Sequence, residues 1–247
     1  MVSDANSKNR PRVVGILVMA VAGYLLGQIL ASMLDAIVVS ATHLRGGMTA
    51  LSGMSEPPWW SNVVGLSGLW VGFGAAIVLA TRRGGLAPLA GAWRWRRFDI
   101  AYLGLGVALQ LVVGAAYFPF HLKNMNKPVD HLFGAAHGAA FALLALMTVV
   151  GAPVVEEWLF RGVVLRALDA GLTPRAGRAG TALAVGLSAL IFAAAHGEWL
   201  QLPGLFFLGV VLALVLLGTR RLLPSVLTHV GFNALTMGSL VLQRLHH

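Results

Sequence analysis

Long apolar runs set the first constraint on this chain. Val13 to Val39 is apolar over more than the roughly 20 residues needed to cross a bilayer as a helix. Further runs read from about Val63 to Ala80, Ile100 to Phe120, Phe133 to Leu165, Ala179 to His196, Leu202 to Gly218 and Leu222 to Val241. Of 247 residues, 57% are apolar and only 11% charged, and the mean hydropathy is +0.79, which excludes a water-soluble globule. The expected fold is all-α, a polytopic transmembrane bundle of about seven helices within a range of about six to eight. The first run is too long for the core of a signal peptide and is read as a span.

Four organisational expectations follow. Residues 1–12, with Lys8, Arg10 and Arg12, form a cytoplasmic tail; 13–132 hold helices without a motif; 133–243 form a core; 244–247 are a C-terminal tail. The Phe133 to Leu165 run is too long for one straight crossing at about 1.5 Å per residue, and Gly151 with Pro153 marks a kink or a division into two segments. Alternating sides gathers the tail, the loop with Arg82, Arg83, Arg94, Arg96 and Arg97, the loop with Arg166, Arg175 and Arg178, and Arg220 with Arg221 on one face, cytoplasmic by the positive-inside rule. The formal charge of +9 is thus accounted for by topology, and nucleic acid is not an expected partner. Cysteine is absent, so disulfides, cysteine-bound metal and a cysteine nucleophile are excluded.

Ionisable side chains inside apolar runs cost about 2.5 to 3.5 kcal/mol each at mid-helix on insertion scales, so they mark function first. Three clusters stand out: Glu156 to Arg161 after Pro153, Phe192 to His196, and His229 to Asn233. Adjacent glutamates point about 100° apart on a helix and cannot do the same work. Glu157 and Arg161, at i and i+4, suggest an ion pair, which leaves Glu156 as a candidate general base. The plainer alternatives are two solvated glutamates at a helix end, an interfacial His196 beside Glu198, Trp199 and Gln201, and an inter-helix hydrogen bond for His229 and Asn233. Together, a carboxylate, two histidines and an amide on three spans can converge on a water, directly or through a divalent metal such as zinc held by Glu156, His196 and His229. Asn233 could then donate to a developing oxyanion.

EEWLFR at 156–161, FAAAH at 192–196 and HVGFN at 229–233, in that order on separate spans, resemble the three motifs of the CPBP family. That family comprises CAAX-prenyl endopeptidases and bacteriocin-processing or immunity proteins, earlier labelled abortive infection proteins. The resemblance covers about residues 134–243 and draws its specificity from the ordered trio. It implies an intramembrane endopeptidase, described either as a metalloprotease or as a purely glutamate-driven enzyme. By that resemblance Glu156 would activate water, His196 and His229 would bind the water or a metal, and Asn233 would steady the oxyanion. Glu157 and Arg161 match the rest of the first motif. The implied substrate is a membrane-embedded or lipid-modified peptide or protein, met in the lipid bilayer. The expected location is a bacterial plasma membrane, with the N-terminus cytoplasmic.

Other readings compete. Gly65-Leu66-Ser67-Gly68 fits the GxSG pattern of rhomboid serine proteases, but a rhomboid would place its histidine motif before the serine, and the paired glutamates would have no role. A non-catalytic scaffold or immunity-type protein would keep the polar clusters for packing, and a transporter would show repeat symmetry that is not found here. One expectation conflicts with the convergent site. From the cytoplasmic ends of straight helices, Glu156 lies about 13 Å deep and His229 about 10 Å, but His196 about 25 Å. Convergence requires the fifth span to begin in the cytoplasm near Pro174, or the fourth to kink at Pro153.

Overall fold

A computed structural model describes residues 13–246, apart from 87, 88, 90 and 124. The expected tail 1–12 and the terminal His247 lie outside the described residues. The helices are α1 (Val13–Thr42), α2 (Gly47–Ser52), α3 (Trp59–Arg83), α4 (Ala101–Tyr117), α5 (Lys127–Phe133), α6 (Gly138–Leu146), α7 (Ala152–Leu159), α8 (Arg166–Ala195), α9 (Leu202–Thr219) and α10 (Leu222–Leu245). Among the described residues there is no β-strand, and six continuous helical stretches are long and apolar enough to cross a membrane. The all-α, multi-pass membrane architecture is as expected. α10 runs past the expected boundary at 243, because the Arg244 guanidinium bonds the carbonyls of Ala136 and Phe133 at 2.8 and 2.7 Å.

The fourth stretch, Gly138–Ala195, resolves the depth conflict. The chain does not break at Gly151 or Pro153. Instead α6 and α7 join through a π turn at Met147–Gly151, and a second π turn at Phe160–Leu165 leads into α8. Within α8, Gly177 takes φ 55°, ψ −131°, a left-handed conformation that costs a glycine little, and the chain reverses. Thr173 and Thr181 hydroxyls are therefore 2.8 Å apart, and Ser188 donates to the carbonyl of Phe160. The two legs, 138–176 and 178–195, take the places of the fourth and fifth expected spans. Of the two routes to convergence the first holds: the fifth span starts at the hairpin tip beside Pro174. The second leg runs back along the first, which brings His196 level with Glu156.

Small residues let the helices touch backbone to backbone, as lipid-embedded bundles require. Gly23 and Gly27 of α1 meet Gly68 and Gly72 of α3, while Gly106 of α4 and Gly231 of α10 each face the other helix's backbone so closely that a Cβ would strike a carbonyl oxygen. Large apolar side chains of α1 such as Val14, Val18, Ile29 and Ile37 face outward, the expected lipid-facing stripe. Asp35 of α1, which the sequence reading passed over, lies near Ser61 at the start of α3.

The two ends of the bundle differ. At the arginine-rich end, Arg221 grips Asp99 with two hydrogen bonds of 2.6 and 2.7 Å and also reaches the Arg94 carbonyl. These bonds tie the 84–100 loop to the α9–α10 turn, and the Arg221 guanidinium holds the Asp99 carboxyl below the usual carboxylate range. At the opposite end, α5 is strapped down by Asn62, which donates to the carbonyls of His131 and Leu132, and by Gln201, which donates to that of Met125.

Candidate active site

α7 sorts the two glutamates. Glu157 faces the core with no exposed surface, and its Oε1 accepts Arg161 Nη1 at 2.9 Å. Arg161, equally buried, donates also to the Gly209 carbonyl of α9 and lies over the Phe192 ring at 4.2 Å. Removing one partner of such a pair strands a buried charge, at a cost of about 3 to 5 kcal/mol. Glu156, one residue earlier, is rotated into a cavity and keeps 15% of its side chain exposed. The expected Glu157–Arg161 ion pair is present with Glu156 left out of it, and the alternative of two solvated glutamates does not hold.

Both histidines arrive with their tautomers set by their partners. His196 Nδ1 lies 2.9 Å from the Phe192 carbonyl, and His229 Nδ1 lies 3.0 Å from Glu157 Oε1. A carbonyl and a carboxylate oxygen only accept, so each Nδ1 donates and each Nε2 points elsewhere. Both Nε2 atoms stand 3.9 Å from the same atom, Glu156 Oε2. Phe192 packs edge-on against both rings and against Phe160, fixing their planes. Its role was readable in principle, since it stands one turn before His196 in FAAAH.

Asn233 is held by a device the sequence reading missed. In the first π turn the Ala152 amide turns to the Met147 carbonyl. The next residue is Pro153, which has no N–H, so the Thr148 carbonyl loses its helical donor. Asn233 Nδ2 fills the vacancy at 3.0 Å. That bond orients the amide and leaves its second N–H for another acceptor.

The four residues share a cavity of about 360 Å³, whose walls include Gln110, Thr148, Gln201 and Thr236 and whose far end is formed by Met125, Asn126 and Val129. Of the GLSG segment, Leu66 lines it but Ser67 does not, and Gly68 abuts Gly27 and Ala31 of α1. His229 pairs with glutamates, not with Ser67.

A metal ion would set a narrower condition on the same donors. Ligands about 2.1 Å from a tetrahedral zinc are separated by about 3.4 Å. The observed 3.9 Å spacing is wider, and among the described residues no cluster of three or more His, Asp or Glu closes to metal-binding geometry. A water at about 2.8 Å that donates to Glu156 and to one histidine Nε2, and accepts from the other histidine when that ring is protonated, accommodates the wider spacing without movement.

A carboxylate, two histidines and an amide on facing helices share one polar cavity in a polytopic membrane protein. The family model described as type II CAAX prenyl endopeptidase Rce1-like matches residues 131–235 and contains all three motifs. The match makes this motif-bearing core similar to the CPBP/CAAX protease family and supports a CAAX-type intramembrane protease in general terms. No curated protein and no solved structure matches the chain.

Proposed function

We propose that the chain is an intramembrane endopeptidase that hydrolyses a peptide bond of a membrane-associated substrate with a water activated by Glu156. The observation that carries this reading is the common focus of the two Nε2 atoms on Glu156 Oε2, each at 3.9 Å. A water at that focus gives one proton to Glu156 as its oxygen attacks the scissile carbonyl. The resulting oxyanion meets the second N–H of Asn233, already oriented by Thr148. Glu156 then returns the proton to the leaving amine.

Glu157 acts at one remove. By accepting from His229 Nδ1 it keeps the Nε2 lone pair turned to the water, and Arg161 keeps Glu157 in place. Two carboxylates face one guanidinium, so one further positive charge, a histidinium or a divalent metal, balances the cluster. If zinc is that charge, Glu156, His196 and His229 are its ligands after closing by about half an ångström, and it would polarise the water. The protein sits in a bacterial plasma membrane with its N-terminus in the cytoplasm, and its substrate is embedded in the bilayer or anchored to it by a lipid.

The test is cleavage of a membrane-associated peptide by purified protein in detergent. Wild type cuts and Glu156→Gln does not; equal cleavage by both, with a folded variant, overturns the reading.

A further inference from the structure

Away from the cavity, the loop joining α3 to α4 interleaves three arginines with three aromatic residues in the run Trp93 to Phe98, and all six are exposed. Trp95 and Phe98 stand 54% and 69% exposed, and the Arg97 guanidinium lies over the Phe98 ring at 4.5 Å. The backbone beneath them is nonetheless fixed. The Ala92 carbonyl accepts the amides of Leu222 and Leu223 at 3.0 Å each, the Arg94 carbonyl accepts Arg221, and the Arg96 amide donates to the Asp99 carboxylate at 2.8 Å. Trp93 packs edge-on against Trp158 of α7, with 5.7 Å between ring centroids. A loop anchored at so many points presents its side chains as a set platform, and a ligand that binds it has little ordering cost to meet.

The charge of this platform is uncompensated. Asp99 is the only carboxylate between α3 and α4, and Arg221 engages both of its oxygens. Among the described residues no carboxylate forms an ion pair with Arg94, Arg96 or Arg97, and the exposed Arg220, next to Arg221, adds a further guanidinium. Guanidinium forks match phosphate oxygens, while indole and phenyl rings settle among lipid headgroups at a membrane surface. A soluble anion would use only the arginines and a zwitterionic lipid mainly the rings. An anionic phospholipid uses both.

We propose that the Trp93–Phe98 loop is a binding site for an anionic phospholipid, whose phosphate is held by Arg94, Arg96 and Arg97 and whose acyl chains lie against Trp95 and Phe98. The buried Asp99–Arg221 clasp is part of the design, because it removes the one carboxylate that would otherwise compete with the phosphate for these arginines. The proposal stands apart from the protease reading, since it uses no residue of the cavity.

The test titrates purified full-length protein in an uncharged detergent with dioleoylphosphatidylglycerol or dioleoylphosphatidylcholine and counts bound lipid by native mass spectrometry. Wild type is expected to bind the glycerol lipid at least about tenfold more tightly than the choline lipid. Replacing Arg94, Arg96 and Arg97 together by Gln should bring the two lipids within about twofold of each other, whereas the double change Arg175→Gln and Arg178→Gln at the hairpin tip should keep the preference. Trp95→Ala with Phe98→Ala should weaken binding of the glycerol lipid while all the arginines remain. Equal binding of both lipids by wild type overturns the proposal and needs no variant to fold. So does a preference that survives the triple arginine change or is lost in the hairpin variant, binding unaffected by loss of the two rings, or release of the glycerol lipid by excess inorganic phosphate, which would mark a site for a soluble anion.

Discussion

Glu157 Oε1 receives two donors at once, His229 Nδ1 at 3.0 Å and Arg161 Nη1 at 2.9 Å. One oxygen thus couples the ion pair that holds the helix to the histidine that faces the cavity. Arg161→Ala should strand the carboxylate and lower stability in detergent by about 3 to 5 kcal/mol. Glu157→Gln keeps the shape and should lower cleavage by about 10 to 100-fold, the usual loss when the partner of a functional histidine is changed. Its pH–rate profile should shift with it, whereas a purely structural role would leave the profile in place.

Glu156→Gln preserves size and hydrogen bonding but cannot take a proton. Cleavage should fall at least about 100-fold in a protein of unchanged melting temperature. His196→Ala and His229→Ala should approach the same loss, and Ser67→Ala should leave cleavage unchanged. Full activity of Glu156→Gln together with an inactive Ser67→Ala would replace the glutamate mechanism by a serine one.

Asn233→Ala should lower kcat more than it raises KM, because an oxyanion contact is strongest in the transition state. Pro153→Ala tests how that amide is held. It restores an N–H to the first π turn, offers the Thr148 carbonyl a helical donor, and frees Asn233 to rotate. A partial loss in kcat with KM unchanged is the expected result. Wild-type kinetics in Pro153→Ala would show that Asn233 needs no such anchor.

How far the sequence carried the site is clear from these residues. The different settings of Glu156 and Glu157, the ion pair and the candidacy of His196, His229 and Asn233 were legible, because helical spacing and the cost of burying charge act locally. The level of His196 was not. It depends on where α8 reverses, and a glycine among 30 others gives no sign that it alone turns the chain. The Thr148 anchor was equally hidden, since a carbonyl becomes available only when a π turn and a proline coincide. Pro153 was visible, but it read as a kink.

Acid stability should report the Asp99–Arg221 clasp. A carboxyl held below its ordinary value of 3.8 stabilises the fold above that value, and the contribution is lost as pH falls through the lower value in the folded protein. The melting advantage of wild type over Asp99→Asn should therefore be constant from neutral pH to about pH 4 and shrink below it. An advantage that persists undiminished at pH 2 would show that the clasp does not depend on the charge of Asp99.

Chelation separates the two sources of the balancing charge. Dialysis against a strong zinc chelator should leave cleavage intact if a histidinium supplies it, and abolish cleavage, restorable by added zinc, if a metal does. Metal analysis of the purified protein checks the second outcome without reference to activity.

The second π turn makes spacing, as much as residue identity, a condition of the chemistry. Removing one residue between Gly162 and Leu165 would draw the preceding helix forward by one position, a rotation of about 100°. Glu156 would then occupy the sealed place of Glu157, Glu157 would take the outward place of Trp158, and Val155 would face the water. A deletion that changes no functional side chain would disarm the protein as fully as mutating the base.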